Sequence, residues 1–187
     1  LFTCVHSTNK IYKYTLSTAF DISTLSYSNQ ELSVPSSTSY GAQINPTGTK
    51  LYVSNSTASD VKEWDLTTAY DLTTASYNNV NLSIAQARSM AFNADGTKLY
   101  LVVDPASSYV REYNLSTGFS LATASFVVSY TSADSALFGI FFKTDMTKMF
   151  LSGAATGKVY SYTFDQALKL GTGSFTSADV GKTINAN

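Results

Sequence analysis

The side chains able to do chemistry are few and far apart. The chain has one histidine, His6, and one cysteine, Cys4. A zinc or iron centre ordinarily takes two or more His or Cys ligands. A lone histidine completes a triad only where serine and acid partners reach it, and spacing along the chain places none beside it. There is no Gly-x-Ser-x-Gly elbow and no Asp-rich calcium loop. His6 therefore reads as a solvated loop histidine and Cys4 as a small apolar core residue. One cysteine allows no internal disulfide. Two glutamates recur, Glu63 and Glu112, each after a basic residue in a strand-like run. They read as solvated or cross-strand paired charges. The sequons at Asn55, Asn81 and Asn114 carry little weight in a Ser/Thr-rich chain. No catalytic residue, metal ligand or cofactor is implied.

The surroundings of these residues are weakly charged. Lys and Arg number 12, Asp and Glu 13, and the net charge is −1. Charged residues are 13% of the chain, about half the usual share, and the basic ones are scattered. Nothing favours nucleic acid or an anionic membrane. No apolar run approaches the ~18 residues of a membrane-spanning helix. Polarity comes from Ser, Thr, Asn and Tyr, which suits β structure in a setting outside the cytoplasm. The chain opens at Leu1 inside a repeat, as expected of a processed N-terminus or a piece of a longer protein.

What would position any site is that repeat. The segment Ile44-Asn45-Pro46-Thr47-Gly48-Thr49-Lys50-Leu51-Tyr52-Val53 returns from Phe92 and again from Phe142, where Met146 replaces the glycine. A second marker, Val61-Lys62-Glu63-Trp64, has counterparts beginning at Ile11, Val110 and Val159. Both markers step by about 49 residues. Thr-Gly-Thr and Asp-Gly-Thr between apolar runs predict tight hairpins with positive φ at Gly48 and Gly96. Tyr14, Trp64, Tyr113 and Tyr162 share one position and are expected in the core. A short oxygen-bearing residue (Thr15, Asp65, Asn114, Thr163) then closes a turn. An aromatic or apolar anchor (Phe20, Tyr70, Phe119, Leu168) is expected to be buried. A fourth strand begins near Tyr27, Tyr77, Phe126 and Phe175.

Four strands in each unit predict an all-β chain, a β-propeller of about four blades, either a four-bladed ring or an arc of a larger one. The single domain 1–187 divides into blades at approximately 1–39, 40–87, 88–137 and 138–187. The first unit lacks its first strand. Gly181-Lys182-Thr183-Ile184-Asn185 matches Gly41-Ala42-Gln43-Ile44-Asn45, so the tail is expected to supply that strand and cover the sheet edge.

The blade pattern, Gly-x-x-Phe-x-x-Asp-Gly-Thr-Lys-x-Tyr followed by Val-x-x-Tyr-Asp-Leu-Ser-Thr, resembles YVTN/lactonase-like and NHL-like propeller repeats. The doubled phrase from Asp65 to Tyr77 and the run Phe175 to Ile184 are similar to repeats in secreted proteins of marine bacteria and in phage fibre proteins. The resemblance implies the propeller fold, and such folds host many functions. It favours a non-enzymatic binding or scaffolding module of an extracellular or virion-surface protein. The alternative is a secreted hydrolase of the lactonase-like kind. An intracellular WD40-like scaffold is disfavoured by the low charge. A ligand would meet the loops between second and third strands and the connections between blades, where His6, Tyr40, Asp60, Arg88, Asp104 and Asp134 differ from blade to blade. A protein or carbohydrate partner, or self-association through an incomplete ring, fits that surface.

Overall fold

The repeat folds as four β-sheets. The computed structural model describes residues 1–35, 38–104, 108–164 and 183–184. The chain forms two compact units, Leu1–Ser83 and Ile84–Asn187.

The first unit holds two sheets. One has the order β1-β2-β3 (Phe2–Val5, Lys10–Leu16, Leu25–Ser33). The other has the order β4-β5-β6-β7 (Ser39–Ile44, Lys50–Asn55, Asp60–Leu66, Ala75–Ser83). The second unit repeats the plan with β8-β9-β10-β11 (Ala87–Phe92, Lys98–Val103, Tyr109–Leu115, Ala124–Thr131). Its last sheet is β12-β13-β14-β15 (Leu137–Phe142, Lys148–Gly153, Lys158–Phe164, Thr183–Ile184). Apart from the strands, the described residues form only three short 3-10 turns, Ile22–Thr24, Leu72–Thr74 and Leu121–Thr123. All strand pairs are antiparallel except β14 with β15.

That exception corrects the expected closure. Thr183 and Ile184 pair in parallel with Thr163 and Phe164 of the fourth sheet, and the first sheet has three strands. The flanking Lys182 and Asn185, and the start of a fourth strand near Phe175, lie outside the described residues, as does Leu168.

Side-chain alternation builds the cores. Leu51 faces Trp64 across β5 and β6, Leu99 faces Tyr113, and Met149 faces Tyr162. In the first unit Leu51, Val53, Trp64 and Leu66 meet Ile11 and Val34, with Phe2 and Cys4 against them. In the second unit Met149, Leu151, Ile140, Phe142 and Tyr162 meet Tyr100, Val102 and Val110. One face of each leading sheet thus packs on the opposite face of the sheet that follows it. Trp64, Tyr113 and Tyr162 are buried as expected, whereas Tyr14 is only half-buried.

Gly48 and Gly96 have φ of +73° and +72°, and Met146 holds the same left-handed conformation at +58°. The rings at Tyr70 and Phe119 rest where a Cβ on Gly48 or Gly96 would be. These anchors are bound to the hairpin by backbone bonds, Tyr70 N–H to Gly48 O at 2.8 Å and Phe119 N–H to Gly96 O at 3.0 Å. They are not deeply buried: Tyr70 is 41% exposed and Phe119 half-buried. Phe20 is fully exposed, because the first sheet has no such hairpin for its ring to cover.

The turn expected at Asp65 and Asn114 is closed elsewhere. Asp65 and Asn114 instead receive the Lys50 and Lys98 ammonium groups at 2.8 and 3.2 Å. The first two 3-10 turns are capped by Asp21 and Asp71, which accept from Ser23 N–H and Thr73 N–H.

Candidate functional site

In the first and third sheets the loop between the repeat's second and third strands is tied to the first strand of the next sheet by a recurring bond. The residue before the third strand carries a short side-chain oxygen, Asn9 in the first sheet and Ser108 in the third. Asn9 Oδ1 accepts the Ser39 amide at 3.3 Å. Ser108 Oγ accepts the Leu137 amide at 2.7 Å. Ser39 and Leu137 each open the following sheet of their unit, so a loop side chain clamps one sheet to the next. Neither residue stands out as a candidate from the sequence. Their signal is the repeat position just before the third strand, where Asn9, Ser59 and Ser108 all carry an oxygen.

In the first unit the clamp continues into a polar chain. Ser39 Oγ donates to Asn55 Oδ1 at 3.2 Å, and Asn55 Nδ2 donates to Asp60 Oδ1 at 2.9 Å. Asp60 also pairs with Lys62 at 2.8 Å. Asp60 is buried and fully engaged, a brace for the β5–β6 loop. Beside this chain the exposed His6 ring stacks on Tyr40, with centroids 5.0 Å apart and planes at 23°. The structure therefore brings His6 and Tyr40 into contact and links Asp60 to the same loop cluster.

The second unit repeats the layout with other chemistry. Arg88, at the position of Tyr40 in the repeat, pairs with Asp104 at 2.6 Å. Its guanidinium also lies 4.4 Å from the centroid of the Phe138 ring. Ser108 Oγ donates to Asp104 Oδ1 at 2.7 Å and approaches the Ser135 carbonyl at 3.2 Å. Asp134 is the most heavily bonded carboxylate of the set. It accepts the Ala136 amide at 2.9 Å, the Thr156 amide at 3.1 Å, the Ala155 amide at 3.3 Å and the Thr156 hydroxyl at 2.5 Å. Gly153 leaves it room, since a Cβ there would occupy the carboxylate's place. Burial works to raise the Asp134 pKa, but these donors outweigh it and hold the carboxyl below its ordinary value. Asp134 staples the β13–β14 loop, and its oxygens are spent on that.

The recurring glutamates are not solvated. Glu63 and Glu112 are buried and paired across the strands to Lys50, at 2.5 Å, and Lys98. Burial raises the pKa of the neighbouring Tyr52 and Tyr100 hydroxyls, with the glutamate charges adding to it. Burial also pushes the Cys4 thiol up to about 11, which leaves it a poor nucleophile. Among the described residues no three His, Cys, Asp or Glu side chains converge as a metal site would require. Among the same residues no helix is long and apolar enough to cross a membrane.

No protein-family model and no curated protein matches the chain. Solved structures do. The chain is similar to a functionally unknown protein from Desulfotomaculum acetoxidans, at 18% identity and TM-score 0.60, over 84% of this chain and 49% of that one. It is similar to the periplasmic gluconolactonase of Pseudomonas aeruginosa, at 12% identity and TM-score 0.64, over 88% of this chain and 50% of that one. It is also similar to the Cps50 (Swd1) β-propeller domain of Myceliophteria thermophila, at 11% identity and TM-score 0.53, over 83% of this chain and 47% of that one. The chain has the β-propeller fold, and it spans about half the length of these structures.

Proposed function

We propose that this chain is a non-enzymatic propeller module that presents its loop cluster to a protein or carbohydrate partner, as part of an extracellular or virion-surface protein. The observation that carries the reading is one position of the repeat, the second residue of the first strand. It is Tyr40 in the second sheet, Arg88 in the third and Phe138 in the fourth, on a backbone frame that otherwise repeats. Changing aromatic and cationic chemistry at a fixed place is how a scaffold acquires specificity without altering its core. Stacked and partly exposed rings such as His6 on Tyr40 offer a flat apolar face with polar edges, which suits sugar rings and peptide side chains. The low charge and single thiol suit an exposed, oxidising setting.

The carboxylates in this region each hold a loop or a cation, an arrangement that favours rigidity over proton transfer. A lactonase-like hydrolase remains the competing reading, and the gluconolactonase neighbour supplies its substrate for a test. The module reading expects no hydrolysis of gluconolactone above the uncatalysed rate. It also expects retention on an immobilised glycan or peptide panel that Tyr40→Ala weakens by roughly tenfold, about 1.4 kcal/mol. Turnover of gluconolactone abolished by Asp60→Asn or Asp104→Asn would replace it with the hydrolase.

A further inference from the structure

The outer face of the fourth sheet is apolar and open. Val159 is 70% exposed and Phe141 65%. With Phe150, Gly139 and Ser152 they line a groove of about 240 Å³. Isolated exposed apolar residues are ordinary, but a contiguous set on one sheet face calls for a covering partner.

The molecule shows what covers such a face. In the third sheet the same repeat positions are Ala91, Tyr100 and Val110, all buried, and the fourth sheet seals them with Ile140, Phe142, Leu151 and Tyr162. Tyr100 and Phe142 touch there with ring centroids 4.6 Å apart. In the first unit the corresponding Phe2 and Ile11 are sealed by Leu51, Val53 and Trp64. The lid in both cases is the opposite face of another sheet, led by an aromatic residue at the Trp64 position.

Among the described residues the first sheet displays that lid surface uncovered. On the first sheet Tyr14 occupies the Trp64 position and is half-buried, while Leu1 is 57% exposed, Tyr27 41% and Leu25 39%. Tyr14 and Tyr27 pack on each other with centroids 5.6 Å apart, as Trp64 and Tyr77 do at 5.5 Å. The side chains needed for the contact are therefore already grouped as in the covered sheets.

We infer that two copies of this chain associate head to tail, the fourth-sheet face around Phe141 and Val159 of one copy receiving the first-sheet face around Tyr14 and Tyr27 of another. The contact repeats the sheet-on-sheet packing inside each unit. It is heterologous, so it yields a dimer where the rotation closes and longer assemblies where it does not.

Sedimentation velocity of the 187-residue chain from about 1 to about 100 µM tests this, the range in which a contact of roughly 6–8 kcal/mol becomes visible. The expected result is mass-action growth from monomer to dimer or larger species. Val159→Lys and Tyr27→Lys each lie on an exposed surface, so circular dichroism should stay that of the parent while each weakens association at least tenfold. An equimolar mixture of the two variants should recover a dimer, because each retains the face the other has lost. A monomer throughout the range overturns the inference, as does association indifferent to Val159→Lys. Association lost with Val159→Lys but untouched by Tyr27→Lys also overturns it, since the fourth sheet would then be meeting something other than the first.

Discussion

The third and fourth sheets share strand order and hairpin spacing, yet equivalent residues live in opposite surroundings. Val110 is fully buried and Val159 70% exposed. The polar residues on those faces differ in step. The covered third sheet carries Glu112 and neutralises it with Lys98. At the same positions the open fourth sheet carries Ser161 and the exposed Lys148. A carboxylate on a covered face must be paired or it is prohibitively costly. A face that meets water has no such need. The comparison teaches that the repeat conserves apolar positions but adjusts its charges to whether each face is covered.

The largest expected effect is on the covered face. Tyr100→Ala should cost roughly 3–5 kcal/mol in urea denaturation followed by Trp64 fluorescence, the range for a large buried ring. The equivalent Phe150→Ala should cost about 1 kcal/mol under dilute conditions, because the lost area was already partly wet. Equal costs would break the comparison.

The Glu112 pair comes next. Glu112→Ala leaves Lys98 with its buried partner gone and should cost about 2 kcal/mol, less than for a wholly buried pair because Lys98 keeps some water. Lys148→Ala in the fourth sheet should change stability by less than about 0.5 kcal/mol.

Asp134 gives the β13–β14 loop of the fourth sheet a pH signature. Its carboxyl is held below the ordinary 3.8 by the donors around it. The stabilisation is complete above that ordinary value and drains away as pH falls through the lowered one. Acid titration of the melting temperature should therefore steepen below about pH 4, and Asp134→Asn should flatten that slope while lowering stability near neutral pH by about 2 kcal/mol. An unchanged slope would remove Asp134 from the account.

The hairpins offer an effect of about 1 kcal/mol. Met146→Gly relieves a left-handed methionine and should stabilise by about 1 kcal/mol. Gly96→Ala should destabilise by more than that, because the new methyl overlaps the Phe119 ring as well as straining the backbone. Thermal melts of the pair, moving in opposite directions, would sharpen the view that the two turns share one shape.

The sequence makes the frame legible because its determinants are local and periodic. Apolar alternation, the hairpin glycines and the aromatic at Trp64, Tyr113 and Tyr162 each announce their place, and Met146 shows that the turn outlasts its glycine. Phe20 was misread as buried because its repeat partners Tyr70 and Phe119 depend on a hairpin of their own sheet that the first sheet lacks. The tail was misread for a related reason. Gly-x-x-Ile-Asn describes a strand but not its neighbour, and Thr183–Ile184 found β14. Among the site residues, spacing placed His6, Tyr40, Asp60, Arg88, Asp104 and Asp134 near loops. It could not say that Asp60 would be consumed by Asn55 and Lys62, or Asp134 by Thr156, because which side chains meet a carboxylate depends on the strand register and on where each side chain turns.

The clamps at Asn9 and Ser108 have a consequence for how each unit comes apart. Each ties a loop of one sheet to the first amide of the next, so neither sheet can peel away without surrendering a bond that belongs to both. The amide hydrogens of Ser39 and Leu137 are thus sentinels of separation between sheets. They should exchange with solvent at the rate of sheet parting, while amides at the middle of β5 or β13 wait for the sheet itself to dissolve. In a chain built of near-identical modules, that difference turns one side-chain oxygen into the stitch that decides where unravelling starts.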